Sequence, residues 1–221
     1  MYNTITKTIT FRNYTGSTKD VLKEILNDIF FEILKKYSKD LFEEGTSIVE
    51  ENIREQILHY FHRCTINNEE FFNVFQVRSE YPCSDVVGHI DIRIKEIKTK
   101  KEYGIELKCP AEFSSSGKGK RSAQNMTALA VHQDISRLER KYPKSGFFIF
   151  ITDDKYFYTE TARARNPFLI NLRNSKINKG IHINEGRKKT GEATRVEVWI
   201  KNNYNIDWKG SEKTKGFILE I

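Results

Sequence analysis

Residues 86–108 read VVGHIDIRIKEIKTKKEYGIELK, and two runs within them alternate strictly. Ile90, Ile92 and Ile94 face away from His89, Asp91 and Arg93; then Tyr103, Ile105 and Leu107 face away from Gly104, Glu106 and Lys108. A period of two is the pattern of a strand buried on one face. The polar residues Lys98, Thr99 and Lys100 supply the reversal that joins the two runs into a hairpin. Antiparallel pairing then sets Asp91 opposite or nearly opposite Glu106, and directly opposed residues share a face. Because Glu106 and Lys108 are two apart, a register in which Asp91 faces either one gathers all three on one side.

Working outward, apolar residues recur every three or four positions from Val21 to Leu41, which predicts a long amphipathic helix over 18–44. A second helix is expected from Ser47, which has capping-box spacing to Glu50, through Ile53, Ile57, Tyr60 and Phe61. Phe71 to Val77 reads as a strand and residues 81–83 as a turn. After the hairpin, Pro110 to Arg121 has no periodicity and reads as a basic loop. A helix capped by Ser122 follows to about Tyr142, and then the fully apolar run Phe147 to Ile151, the mark of a strand covered on both faces. Beyond Thr159, short strands are expected at 181–183, 195–200 and 216–221. Trp199, Tyr204 and Trp208 have the spacing of strand residues and are expected to fill core. The result is an α/β fold with a mixed central β-sheet flanked by helices. It forms one domain over 1–221, with a helical part to residue 68, a central part at 69–152 and a basic C-terminal part at 153–221.

Bulk properties agree. A chain of 221 residues, 38% hydrophobic and with only 12 Gly and 4 Pro, suits a packed core and excludes collagen-like and low-complexity classes. No apolar stretch approaches a membrane span or a signal core, and three cysteines are too few for a disulfide framework, so a soluble, cytoplasmic protein is expected. The formal charge of +7 is unevenly placed. Residues 1–108 carry a net −2 and residues 109–221 a net +9. A basic half is what a polyanion such as nucleic acid selects. Lys118, Lys120, Arg121, Arg163, Arg165, Arg187, Lys188 and Lys189 are the candidate contacts.

Two neighbouring carboxylates repel each other unless a divalent cation neutralises them. Mg²⁺ prefers oxygen ligands and is held by one or two carboxylates together with phosphate oxygens, and Mn²⁺ is expected to substitute. A lysine beside such a pair can orient an attacking water and stabilise charge developing on phosphorus. The bland reading of the same three groups is a solvated cross-strand ion pair. The buried faces demanded by Ile90, Ile92, Ile94, Ile105 and Leu107 weigh against it. A zinc site at His59, His62 and Cys64 lacks a Cys-x-x-Cys knuckle, and Cys109 reads as structural.

Asp91 and, fifteen positions on, Glu106-Leu107-Lys108, set within helix, strand, hairpin, helix and strand, resemble the PD-(D/E)XK nuclease superfamily over about residues 50–152. Ile90 stands where that motif is named for Pro. The resemblance implies a restriction-endonuclease-like core and a metal-dependent DNA endonuclease, most simply a type II-like restriction enzyme acting as a homodimer alongside a cognate DNA methyltransferase. It implies Asp91, Glu106 and the Leu107 carbonyl as metal ligands, with Lys108 as the catalytic lysine. A glutamate of the preceding helix is expected to join them, Glu55 ahead of Glu51, with Gln133 or Asp134 facing the site from the following helix. Two other readings keep the fold: a nucleic-acid-binding module without catalysis, and a nuclease for structured DNA or RNA.

Overall fold

The computed structural model describes residues 12–38, 50–82, 89–112, 124–159, 166–187 and 193–221. In chain order, β1 (Arg12–Tyr14) precedes α1 (Thr18–Ser38) and α2 (Glu50–Phe61). Next come β2 (Cys64–Ile66), β3 (Glu69–Glu70), the single turn α3 (Phe71–Val74) and β4 (Phe75–Pro82). The hairpin strands are β5 (His89–Glu96) and β6 (Glu102–Lys108), followed by α4 (Gln124–Lys141) and β7 (Gly146–Thr152). The remainder consists of α5 (Pro167–Arg173), β8 (Lys176–Ile177), β9 (Gly180–Arg187), β10 (Ala193–Ile200), β11 (Tyr204–Asn205), β12 (Lys209–Gly210) and β13 (Lys215–Glu220). The architecture is mixed α/β. A six-stranded mixed sheet in the order β12-β13-β7-β6-β5-β4 is flanked by helices, and among the described residues no helix is long and apolar enough to cross a membrane.

Strand β7 organises the sheet. It pairs in parallel with β6 and antiparallel with β13, and all seven of its residues are buried. Phe147, Ile149 and Ile151 enter one core with α1 and α2, while Phe148 and Phe150 enter the other with α4 and α5. The parallel step from β6 to β7 is possible because α4 crosses between them. Through β13 the C-terminal part belongs to the same sheet rather than to an appended module.

Helix α1 forms where expected. Ser17 caps it by accepting from the Asp20 amide at 3.4 Å, and Val21, Leu22, Ile25, Leu26, Ile29, Phe30, Ile33 and Leu34 are all buried. Burial of each such side chain contributes roughly 2 kcal/mol. Residues 39–44, Ser47, Cys83 and Ser122 lie outside the described residues; of the turn expected at 81–83, Tyr81 and Pro82 instead end β4, paired with Ile90 and His89. Gly104 permits α4 to lie close on the sheet: a Cβ there would sit 2.4 Å from the Tyr142 ring.

Three further expectations are corrected. Phe71 to Val74 is a helical turn rather than the start of a strand, because Phe71 is buried with its ring stacked on Phe61 at 4.3 Å; the strand begins at Phe75. Trp199 is 60% exposed, on the open face of the β9–β10 ribbon, whereas Tyr204 is buried as expected. Ile90 does not share a core with Ile92 and Ile94 but packs on the α4 side of the sheet. Strand β5 therefore turns about its axis at Asp91. The partner strand is distorted at the same level: Glu80 has φ +48°, and the pairs Ser79–Ile92 and Tyr81–Ile90 flank it.

Candidate active site

The β5–β6 register pairs Ile92 with Ile105, so Asp91 and Glu106 stand opposite each other just beyond the last paired residues. There β5 leaves β6, and the amide that would have continued the ladder finds another acceptor. Leu107 N–H donates to Asp91 Oδ2 at 2.7 Å. This bond anchors the Asp91 carboxylate in the gap between the strands. Across the gap the Asp91 charge acts on the Glu106 carboxyl and raises it.

Glu106 is 2% exposed and points to the side covered by α4. Burial first, then the charges of Asp134 and Asp91, push its carboxyl up to about 9. Arg137 Nη1, only 2.5 Å from Glu106 Oε1, opposes the shift without overcoming it. The same guanidinium reaches Asp134 Oδ1 at 3.0 Å and donates to the His89 carbonyl at 3.2 Å. Asp134 and Arg137 are three apart and so occupy one face of α4, which delivers both to the end of β6.

Lys108 lies at the C-terminal end of β6 between the helical layers. Its ammonium is 3.2 Å from Asp134 Oδ2, 3.5 Å from Glu50 Oε2 and donates to the Leu107 carbonyl at 3.0 Å. Burial disfavours the charged form, but Asp134, Glu50 and Asp91 outweigh it and hold the group above the ordinary lysine value. Asp134 Oδ2 is buried with this ammonium as its near partner, and burial raises the Asp134 carboxyl despite Lys108 and Arg137. Glu50 is likewise raised by burial, against the pull of Lys108.

The helix glutamate beside Lys108 is thus Glu50, and this corrects the choice of Glu55. Glu51 and Glu55 are both exposed, while Glu50 and Arg54 lie on the face of α2 that carries buried Ile53 and Ile57. Arg54 stands 3.9 Å from Asp91 Oδ1 and 3.1 Å from Glu80 Oε1. Of the pair on α4, Asp134 enters the site and Gln133 is exposed. Sequence reading missed Glu50, Arg54 and Arg137. Their spacing to Ile53, Ile57 and Asp134 is the signal that would have found them.

The donor set suits a hard divalent cation. The Asp91 and Glu106 carboxyls interact across the parted strands, and Asp134 adds a third, buried carboxylate whose Oδ2 lies 3.2 Å from the Lys108 ammonium. Among the described residues no three His, Cys, Asp or Glu side chains form a ready ligand cage. A cation here would rest on one or two carboxylates completed by water and substrate oxygens, the mode Mg²⁺ uses.

Lys118, Lys120, Arg121, Arg163, Arg165, Lys188 and Lys189 lie outside the described residues. Arg187 ends β9. Cys64 and Cys109 are buried free thiols, and His59 and His62 are exposed. No family model, curated protein or solved structure matches this chain.

Proposed function

We propose that the chain is a Mg²⁺-dependent endonuclease acting on DNA, built on a restriction-endonuclease-like core and of the type II restriction kind. The observation that carries this reading is the Asp91–Glu106 carboxyl pair at the parting of β5 and β6, with the Lys108 ammonium at the same sheet end. When bound, the cation supplies Lewis-acid polarisation of the phosphate and a template for in-line attack. Asp91 and Glu106, the latter as its carboxylate, would hold the ion. Lys108, held protonated by its acidic neighbours, orients the attacking water and donates to charge developing on phosphorus; it is no general base near neutral pH. Asp134 and Glu50 keep that ammonium in place, and Arg54 does the same for Asp91. Cutting both strands calls for two such sites, hence a homodimer. A restriction role in the cytoplasm calls for a DNA methyltransferase of the same specificity. Mn²⁺, with similar oxygen preference, substitutes for Mg²⁺.

Digestion of supercoiled plasmid tests the reading. The wild type should cut with Mg²⁺ and not with EDTA, and Asp91→Ala and Lys108→Ala should each lose about 100-fold or more. Equal cutting by all of them, or none by the wild type, overturns it. The grip of Arg137 on Glu106 favours one second reading, a DNA-binding module without catalysis. That module binds DNA in a salt-sensitive way unaffected by Mg²⁺ or by Glu106→Ala.

A further inference from the structure

On the outer part of the central sheet, Gln76 and Arg78 of β4 and Arg93 and Lys95 of β5 line a small open groove of about 90 Å³. The register places Arg78 directly against Arg93 and Gln76 directly against Lys95. Like charges directly opposed across strands destabilise a sheet, so two facing arginines are a costly arrangement without an anion. Among the described residues one acid answers these cations: Glu102 pairs with Arg93 and lies 3.9 Å from Lys95. Arg78 has no ion pair among the described residues. Lys141, at the end of α4, adds a further cation 5.9 Å from the Tyr81 ring, whose face Arg93 covers at 4.1 Å. Arg78, Arg93, Lys95 and Lys141 against Glu102 leave an excess of three positive charges. Charge on an edge strand alone would deter unwanted strand pairing, but that purpose needs nothing on the inner strand β5.

The groove and the candidate active site are built on the same hairpin strands. Arg93 pairs with Gly104, and Gly104 shares its face of β6 with Glu106 and Lys108. Along β5, Arg93 and Lys95 are two and four residues from Asp91, about 7 and 14 Å at the rise of a strand. Duplex DNA carries one charge per roughly 1.7 Å of its axis, so a duplex with a phosphodiester at Asp91 brings further phosphates over both positions. We infer that the β4–β5 groove is a phosphate-backbone grip for duplex DNA, with Arg78 and Lys95 as its main contacts and Arg93, held by Glu102, as its preoriented base. This inference rests on the nuclease reading for the substrate, but not for the binding itself.

The test is fluorescence anisotropy of a labelled duplex in EDTA across a series of KCl concentrations. It compares the wild type, the pair Arg78→Ala with Lys95→Ala, and the pair Lys176→Ala with Lys179→Ala, which removes equal charge elsewhere. Loss of two phosphate contacts should lower the salt slope by about 1.8 and weaken binding about 60-fold at 0.1 M salt. The Lys176 and Lys179 pair should stay near the wild type. Arg78→Lys with Lys95→Arg keeps the charges and should keep the affinity, separating a lost contact from a lost fold. Alanine variants at the groove that bind no worse than the Lys176 and Lys179 pair overturn the inference, as does a wild type without salt-dependent binding. If the groove variants lose binding and the wild type never cuts plasmid in Mg²⁺, the grip stands and the nuclease reading falls. If cutting depends on Asp91 and Lys108 while groove variants bind normally, the reverse holds.

Discussion

Glu106→Gln isolates the energetics of the carboxyl pair, because the amide is close in shape to the protonated acid and cannot ionise. Glu106 has an ordinary value of 4.5 and is pushed up to about 9 by burial and by the neighbouring Asp134 and Asp91. Between those two values the folded protein holds a proton that the unfolded chain has released. Its stabilising contribution is therefore complete below about pH 4.5 and is lost as pH rises toward 9. With the slope of one proton, the loss reaches about 3 kcal/mol by pH 7. The Gln variant takes up no proton on folding and escapes this loss. Urea unfolding followed by circular dichroism in EDTA, from pH 5 to pH 9, should show the variant gaining on the wild type steadily, by about 3 kcal/mol at pH 7. The raised carboxyls of Asp134 and Glu50 are common to both proteins, so the difference between the profiles reports Glu106. Parallel profiles would mean that the Arg137 contact keeps Glu106 ionised, and the reasoning would fail.

Other substitutions probe the frame around the site. Gly104→Ala drives a methyl group into the Tyr142 ring and should cost about 2 kcal/mol in denaturant unfolding, since the end of α4 must lift. Glu139 accepts from the amides of Lys201 and Asn202, from the Asn202 side chain and from the Tyr204 hydroxyl. Glu139→Ala strands these donors and should lower stability by about 3 kcal/mol in the same assay. Burial raises the thiols of Cys64 and Cys109, so iodoacetamide should leave both unlabelled in the native protein and modify them in urea, as read by mass spectrometry.

Much of the central hairpin was legible because its two signals are local. Alternation set the strands, and a short polar reversal set a register that brings Asp91 opposite Glu106. The twist at Asp91 was not legible, since it depends on Glu80 of a neighbouring strand adopting a left-handed backbone. Phe71 to Val74 misled because aromatic and β-branched content marks a strand only when tertiary packing agrees, and here Phe71 stacks on Phe61. For α2, counting glutamates pointed to Glu55, whereas helical phase relative to Ile53 and Ile57 points to Glu50 and Arg54. The basic groove escaped notice because Arg78, Arg93 and Lys95 are single charges spread over two strands, and only pairing assembles them.

The two carboxyls of the site hang from strands of unequal standing. Glu106 belongs to β6, bonded to the fully buried β7, whose amides should resist deuterium until the whole molecule opens. Asp91 belongs to β5, one strand from the open margin at β4, and the two strands have already parted at its level. Breathing of the margin thus moves one jaw against a fixed one, and the spacing of the two carboxyls is governed by β5.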